Sequence, residues 1–257
     1  MHPIAFKIGT VTIYWYGIMA AIGFVSALLM LSLNRKHADM TNDQISDIAL
    51  YGMLGGILGA RTFYVIQFWE QFKYNLIEIV RIDHGGLVFY GGLICSTIVI
   101  MGFCLIKKIR ILNVLDIFAP ALCIGHAFGR IGCFINGCCF GKPSDFFLAV
   151  KYPEGSVPCK AYPEMSLHPV QLYEAFSNVI LAVIFYFLIK KLKPGQTASI
   201  YLVTYGILRF CLELFRGDHK NFIFGIFTPA QFIGILIVIM GICLYAYSSR
   251  KSAGTEK

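Results

Sequence analysis

Hydrophobic residues along the chain form seven long runs separated by shorter polar segments. The runs cover approximately residues 13–33, 48–69, 85–106, 114–135, 172–189, 198–215 and 226–247. About 20 helical residues cross a hydrocarbon core roughly 30 Å thick, so runs of this size are long enough to span it. The runs lack the two-residue alternation of a barrel strand, and backbone groups in lipid must be satisfied within the segment. The pattern therefore predicts an all-α polytopic membrane protein with seven transmembrane helices.

The longest segment between runs, residues 136–171, separates the fourth and fifth predicted spans. It holds the short apolar stretch FFLAV, so we expect it to pack as a small extracytoplasmic cap on the helices. No low-complexity tract or linker divides the chain, and residues 1–257 are interpreted as a single integral membrane domain.

Composition and charge agree with this class. Hydrophobic residues make up 57% of the chain and charged residues 14%, and the mean hydropathy is +0.69. Eleven Lys and Arg residues lie in the loops on one side and eight in the longer loops on the other, which predicts an outside N-terminus and a cytoplasmic C-terminus. This bias and contact with anionic lipid account for the net charge of +8, so no nucleic-acid partner is expected.

Three arginines, Arg61, Arg130 and Arg209, fall inside predicted spans. A charged side chain at mid-bilayer costs about 2.5–3.5 kcal/mol on insertion scales, so each needs a compensating role. Two other interpretations remain open. The side chain of Arg130 could extend to the membrane interface, and Arg209 could form an ion pair with Glu213 that has no further role. Taken together, guanidiniums at headgroup depth indicate a site for a lipid phosphate, because Arg binds phosphate oxygens in a bidentate manner.

The sixth run carries a polar stripe. Tyr205, Arg209, Glu213 and Arg216 follow one another at intervals of four, four and three residues, which places them on one helix face.

Four cysteines, Cys133, Cys138, Cys139 and Cys159, fall on the predicted outer side, where disulfides persist in an oxidising compartment. A disulfide between Cys159 and one of the adjacent pair remains open, because spacing alone cannot establish it. The pattern C-x4-C-C is not a standard zinc spacing and no histidine pair completes it, so no metal site is expected.

Five motifs occur in order along the runs: GARTFYVIQF, HGGLVFYGGL, GRIGCFINGCCFGKP, HPVQLYEAF and YGILRFCLELFRGD. In these motifs the chain resembles the prolipoprotein diacylglyceryl transferases of bacterial plasma membranes, nearly end to end. The resemblance implies transfer of the diacylglyceryl group of phosphatidylglycerol to the lipobox cysteine thiol of a prolipoprotein. A thioether forms and glycerol-1-phosphate leaves, and the resemblance implies no metal or organic cofactor.

The resemblance also assigns residues. The implied catalytic residues are Arg130, Arg209, Tyr90 and Asn136. The implied substrate-binding residues are Arg130, Arg209, Tyr16, Arg61, Tyr205, Glu213, Arg216 and Gly141. The chain departs from the family pattern at Tyr90, where many members carry His, and at Cys133 and Cys138, where the signature carries Asn and Glu.

These departures leave other functions open. One is a diverged transferase that acts on another thiol or another anionic lipid. A second is a membrane thiol–disulfide protein that uses Cys138 and Cys139. A third is a transporter with an arginine-lined cavity, which the lack of an obvious inverted repeat disfavours.

Overall fold

The computed structural model describes residues 3–9, 11–81, 85–218 and 226–255. His84 of the HGGLVFYGGL motif and residues 219–225 of the last predicted outer loop lie outside the described residues. The helices are α1 (Trp15–Asn34), α2 (Asn42–Gln67), α3 (Trp69–Phe72), α4 (Phe89–Ile106), α5 (Ile111–Asn136), α6 (Val157–Ala161), α7 (Val170–Leu188), α8 (Gln196–Glu213) and α9 (Pro229–Thr255). The strands are β1 (Ile4–Ile8), β2 (Val11–Tyr14), β3 (Val150–Lys151) and β4 (Ser166–Leu167).

A long helix overlaps each of the seven predicted runs. In the part of the chain that the structure describes, six of them are long and apolar enough to cross a membrane, namely α1, α2, α4, α5, α7 and α9. The chain is therefore a polytopic helical membrane protein. The helix of the sixth run, α8, is not among the six; polar and charged residues, including Arg209 and Glu213, lower its hydropathy.

Two short antiparallel sheets accompany the helices and were not predicted from the hydrophobic runs. In the first, β1 pairs with β2 in a hairpin that turns at Gly9, whose φ of +58° favours glycine. In the second, β3 pairs with β4 through Val150 and Leu167. Each strand is at most five residues long, too short to show as a periodic pattern beside runs of about 20 residues.

The chain forms two compact units. The first comprises Met1–His37 and Leu115–Lys257, and the second comprises Ala38–Val114.

In the second unit, α2 and α4 pack along a seam of glycines. A Cβ on Gly55 would lie 2.8 Å from Val99, and one on Gly59 would lie 2.3 Å from the Cβ of Cys95. On the other side of the seam, a Cβ on Gly91 would lie 2.7 Å from the carbonyl oxygen of Gly59. Small residues thus allow the two backbones to approach closely, as is typical of helix pairs in membranes.

In the first unit, close helix pairs again depend on glycine. A Cβ on Gly23 of α1 would lie 2.9 Å from the carbonyl oxygen of Gly125 in α5. A Cβ on Gly206 of α8 would lie 2.8 Å from the carbonyl oxygen of Gly234 in α9. The buried carboxylate of Asp116 in α5 accepts hydrogen bonds from two backbone N–H groups at the start of α8, so it joins these two helices as well.

The segment between α5 and α7 has a small core of its own. Phe140, Tyr152 and Leu167 are buried together, and the hydroxyl of Tyr152 lies 3.4 Å from Oε1 of Gln171 on α7. Burial raises the pKa of the Tyr152 hydroxyl above its ordinary value, against the lowering effect of that hydrogen bond. The segment therefore holds a fixed position between the ends of α5 and α7.

Substitution of Gly59 by Ala should destabilise the protein, because the new methyl group would overlap Cys95 and the backbone of α4. Overpacking of this kind costs about 1–3 kcal/mol. Thermal unfolding in detergent measures the change. Gly102→Ala in α4 is the matched control, since a Cβ there meets open space. Equal unfolding midpoints for the two variants would contradict the glycine seam.

Candidate functional site

The end of α5 carries a buried ion pair with α7. Nε of Arg130 lies 3.0 Å from Oε2 of Glu174, whose side chain is only 2% exposed. The same Nε donates to Nε2 of His126 at 3.2 Å, one helical turn earlier. Nε2 of His126 also lies 3.4 Å from Oε1 of Glu174. Glu174 and His126 thus fix the guanidinium of Arg130 through its Nε atom.

A second cluster lies at the end of α8. Nη1 of Arg209 lies 2.8 Å from Oε2 of Glu213, as the four-residue spacing predicts. Nη1 of Arg216 lies 3.8 Å from the same oxygen, and its Nε and Nη2 donate to both carboxylate oxygens of Asp218 at 2.9 and 2.7 Å. The hydroxyl of Thr228, before α9, donates to the other oxygen of Glu213 at 2.8 Å. Glu213 is therefore the buried anion around which this cluster is organised.

Tyr205 lies against His126 of the first cluster and one helical turn before Arg209 of the second. Its ring lies 5.4 Å from the ring of His126, centroid to centroid. The charges of Arg130 and Arg209 act on both Tyr205 and His126. The structure therefore brings Arg130, Arg209 and Tyr205 into one electrostatic environment.

Gly141 lies where three segments of the chain meet. Its N–H donates to the carbonyl oxygen of His168 at 3.0 Å, and it forms an antiparallel bridge with Arg216. A Cβ at this position would lie 2.5 Å from the His168 carbonyl oxygen. Only glycine fits, and the bridge holds Arg216 against the segment that follows α5. The substrate-binding role that the sequence assigns to Gly141 remains a prediction.

The thiols of Cys133, Cys138 and Cys139 converge at the end of α5. Their sulfur atoms all lie within 4.8 Å of one another. Hydrogen bonds from Cys133 and Cys138, together with the charges of Arg216 and Arg130, lower the pKa of the Cys139 thiol below its ordinary value despite burial.

Two other predicted residues border this cluster. The half-exposed Tyr16 of α1 packs against Gly132 of α5, where a Cβ would lie 3.3 Å from its ring. Asn136, the exposed last residue of α5, lies two residues before Cys138. Both belong to the first unit with the two arginine clusters.

Arg61 and Tyr90 belong to the second unit. Arg61 is buried, and its guanidinium donates five hydrogen bonds to backbone carbonyls of Glu78, Ile79, Arg81, Gly85 and Gly86. These bonds fix the backbone at Glu78–Arg81 and at Gly85–Gly86, before α4. Tyr90 is half-exposed at the start of α4 and packs against the ring of Phe89. The roles assigned to both residues from the sequence remain predictions.

The family model for prolipoprotein diacylglyceryl transferases matches residues 3–247. The chain belongs to this family. It is 37% identical to a phosphatidylglycerol–prolipoprotein diacylglyceryl transferase of Pseudoalteromonas translucida, with 96% of this chain and 93% of the relative covered. It is 32% identical to the enzyme of the same name from Clostridium tetani, with 95% and 97% covered. A third enzyme of this name, from Finegoldia magna, is 34% identical, with 95% and 94% covered.

Of the carboxylates that pair with the arginines of this transferase family member, only Glu213 was predicted from the sequence. Glu174, His126 and Asp218 were not predicted as site residues. The signals for the first two were present, since both are ionisable and lie within predicted spans, and His126 precedes Arg130 by one turn. Asp218 follows Arg216 by two residues in a loop, where no periodic pattern indicates a contact.

Replacing Glu174 by Leu should strongly destabilise this transferase, because Arg130 would remain buried without its carboxylate. Breaking a buried ion pair in this way costs about 3–5 kcal/mol. The thermal unfolding midpoint in detergent measures the effect. The control is Glu70→Gln, which breaks the exposed Glu70–Lys73 pair and should leave the midpoint nearly unchanged. A midpoint as high in Glu174→Leu as in the control would mean that the pair does not stabilise the fold.

Proposed function

We propose that this protein transfers the diacylglyceryl group of phosphatidylglycerol to the lipobox cysteine thiol of prolipoproteins. A thioether forms and glycerol-1-phosphate is released. Membership of the family, and the names of relatives aligned over at least 95% of this chain, support the reaction. For the site, the observation that carries the proposal is the pair of guanidinium–carboxylate clusters around Arg130 and Arg209.

Arg130 and Arg209 bind the phosphate of the lipid. The contacts of Arg130 with Glu174 and His126 both use Nε, so within the described residues its two Nη groups have no protein acceptor. In the same part of the chain, Arg209 is held by Glu213 through Nη1. Each guanidinium is thus oriented from one side by a buried carboxylate, and the remaining N–H groups can donate to phosphate oxygens.

The reaction places negative charge where these donors lie. The substrate thiolate attacks the glyceryl carbon, the carbon–sulfur bond forms, and the carbon–oxygen bond to the phosphate breaks. The electron pair of that bond goes to the phosphate oxygen, and fixed guanidiniums stabilise the developing charge. Because carboxylates already hold the arginines, little reorganisation is needed at this step.

The other assigned residues surround this centre. Tyr205, Glu213 and Arg216 position the arginines and bind substrate, and Gly141 allows Arg216 to approach. Asn136 contributes its amide near the reacting thiol. Three further assignments, Tyr16, Arg61 and Tyr90, enter on the resemblance alone.

The protein crosses a bacterial plasma membrane seven times as one integral domain, with the N-terminus outside and the C-terminus cytoplasmic. Close packing of α8 on α9 at Gly206, together with the ion pair of Arg209 and Glu213, supports α8 as a further span, the sixth in chain order, in addition to the six apolar helices. The basic residues of the loops support the orientation, and the segment between α5 and α7 forms the extracytoplasmic cap.

The direct test incubates purified protein with phosphatidylglycerol vesicles and a synthetic lipobox peptide. Mass spectrometry should show that the peptide gains one diacylglyceryl group. The same peptide with Ser in place of its Cys is the control and should remain unmodified. No gain with folded protein across several anionic lipids would overturn the proposal. A gain only with another anionic lipid would identify a diverged transferase.

Arg130→Ala and Arg209→Ala should each lower the rate of transfer by a factor of about 100 or more, the typical cost of losing a donor to a developing oxyanion. Arg209→Lys should restore only part of the rate, because an ammonium keeps the charge but not the bidentate geometry. The peptide assay measures all three rates. Arg110→Ala, at an exposed arginine before α5, is the control and should match the unmodified protein. Near-normal rates in both site variants would remove the phosphate assignment.

A further inference from the structure

The three clustered thiols are brought together by the way α5 ends. Gly137 has a φ of +74°, its N–H donates to the carbonyl oxygen of Phe134, and the N–H of Cys138 donates to that of Cys133. This is a Schellman motif, in which the second residue beyond the helix folds back over the last turn. Cys138 therefore comes to lie beside Cys133.

Cys139 joins the pair through an unusual backbone conformation. Its φ is +63°, in the left-handed region that non-glycine residues rarely adopt and that tends to occur at functional sites. The three sulfurs lie within 4.8 Å of one another and are partly buried. In a tetrahedral zinc site with bonds of about 2.3 Å, neighbouring sulfurs are roughly 3.8 Å apart. The observed cluster needs only small side-chain adjustments to reach this geometry.

We propose that Cys133, Cys138 and Cys139 bind one Zn²⁺ ion, whose fourth coordination position receives the thiol of the prolipoprotein substrate. The second half of this proposal rests on the proposed function. The structure groups these three thiols and, among the residues it describes, adds no fourth His, Cys, Asp or Glu to the group. Zinc sites with three protein ligands and one exchangeable position are typical of catalytic centres, whereas structural sites use four protein ligands.

The surroundings suit three thiolates and a dication, which together carry one negative charge. Arg130 acts electrostatically on Cys133 and Cys139, and Arg216 acts on Cys139. Nε2 of Gln171 donates to the carbonyl oxygen of Cys138 at 2.7 Å, which fixes the backbone that carries this thiol. Second-layer contacts of this kind orient metal ligands.

The ion would supply the step for which this chain lacks an obvious base. A thiol bound to Zn²⁺ loses its proton, here to solvent water, and remains bound as a thiolate. Its sulfur then attacks the glyceryl carbon, the carbon–oxygen bond breaks, and glycerol-1-phosphate leaves with the electron pair. No oxidation or reduction occurs. The thioether product is a weaker ligand than a thiolate and leaves the ion.

The Zn²⁺ content of the purified protein tests the site without an activity assay. The full-length protein, purified in detergent without chelators and supplied with Zn²⁺, should contain about one Zn²⁺ per chain by mass spectrometry of the element. Cys138→Ser and Cys139→Ser should lose most of it. Cys159→Ser is the matched control, because it lies in the same segment but outside the cluster, and should keep the full content.

Co²⁺ substitution provides a second test, which uses the unmodified protein and so does not depend on whether the variants fold. Replacement of Zn²⁺ by Co²⁺ in the unmodified protein should produce thiolate-to-cobalt charge-transfer absorption, and this absorption should be absent without Co²⁺. No Zn²⁺ and no such absorption in the unmodified protein would overturn the site. A disulfide between two of the three cysteines in protein kept under reducing conditions would overturn it as well.

The peptide assay then distinguishes Zn²⁺ binding by the three cysteines from a role of the ion in catalysis. Chelation should abolish transfer of the diacylglyceryl group, and added Zn²⁺ should restore it. Transfer that persists in the metal-free protein would overturn the catalytic role while leaving the reaction in place. Stoichiometric Zn²⁺ in a folded protein that transfers nothing would overturn the proposed function and the role of the fourth position, but not the three-cysteine site.

Discussion

A guanidinium group removed from water needs a carboxylate or a set of carbonyl oxygens, and much of this structure is arranged to provide them. Arg61 is surrounded by five backbone carbonyls, Arg130 is paired with Glu174, and Arg209 is paired with Glu213. Glu213 lies on the same helix as Arg209, whereas the partners of Arg61 and Arg130 come from other segments, which must be placed correctly before these charges can be buried. The positions of α7 and of the backbone at Glu78–Arg81 and Gly85–Gly86 therefore follow from the need to accommodate these charges.

The same pairing gives the site its chemical character. A buried carboxylate that binds one edge of a guanidinium fixes the orientation of the N–H groups on its other edge. In the proposed phosphate site, an anionic headgroup would meet donors that are already oriented, so less of its binding energy would be spent on ordering side chains. The pairing of each guanidinium with a carboxylate also balances the buried charges in an apolar bundle.

The sequence predicted the helices well because a span of about 20 apolar residues is a strong local signal. It also predicted the Arg209–Glu213 pair, since a four-residue spacing defines a helix face. It did not predict the pairing of Arg130 with Glu174, which joins residues 44 positions apart, because no local pattern encodes such a contact. The convergence of three thiols was missed for a different reason: zinc spacing rules do not describe a helix end that folds back at Gly137.

Gly141 contacts two segments that lie later in the sequence, so the site cannot assemble until both have been synthesised. Its partners, His168 and Arg216, are synthesised after it, and the last follows by roughly 75 residues. At about 5–20 residues per second, several seconds of translation separate the first part of this junction from the last. A partly inserted chain therefore has helices but no assembled site. The site is complete only after the segment that follows α8 has formed its bridge with Gly141.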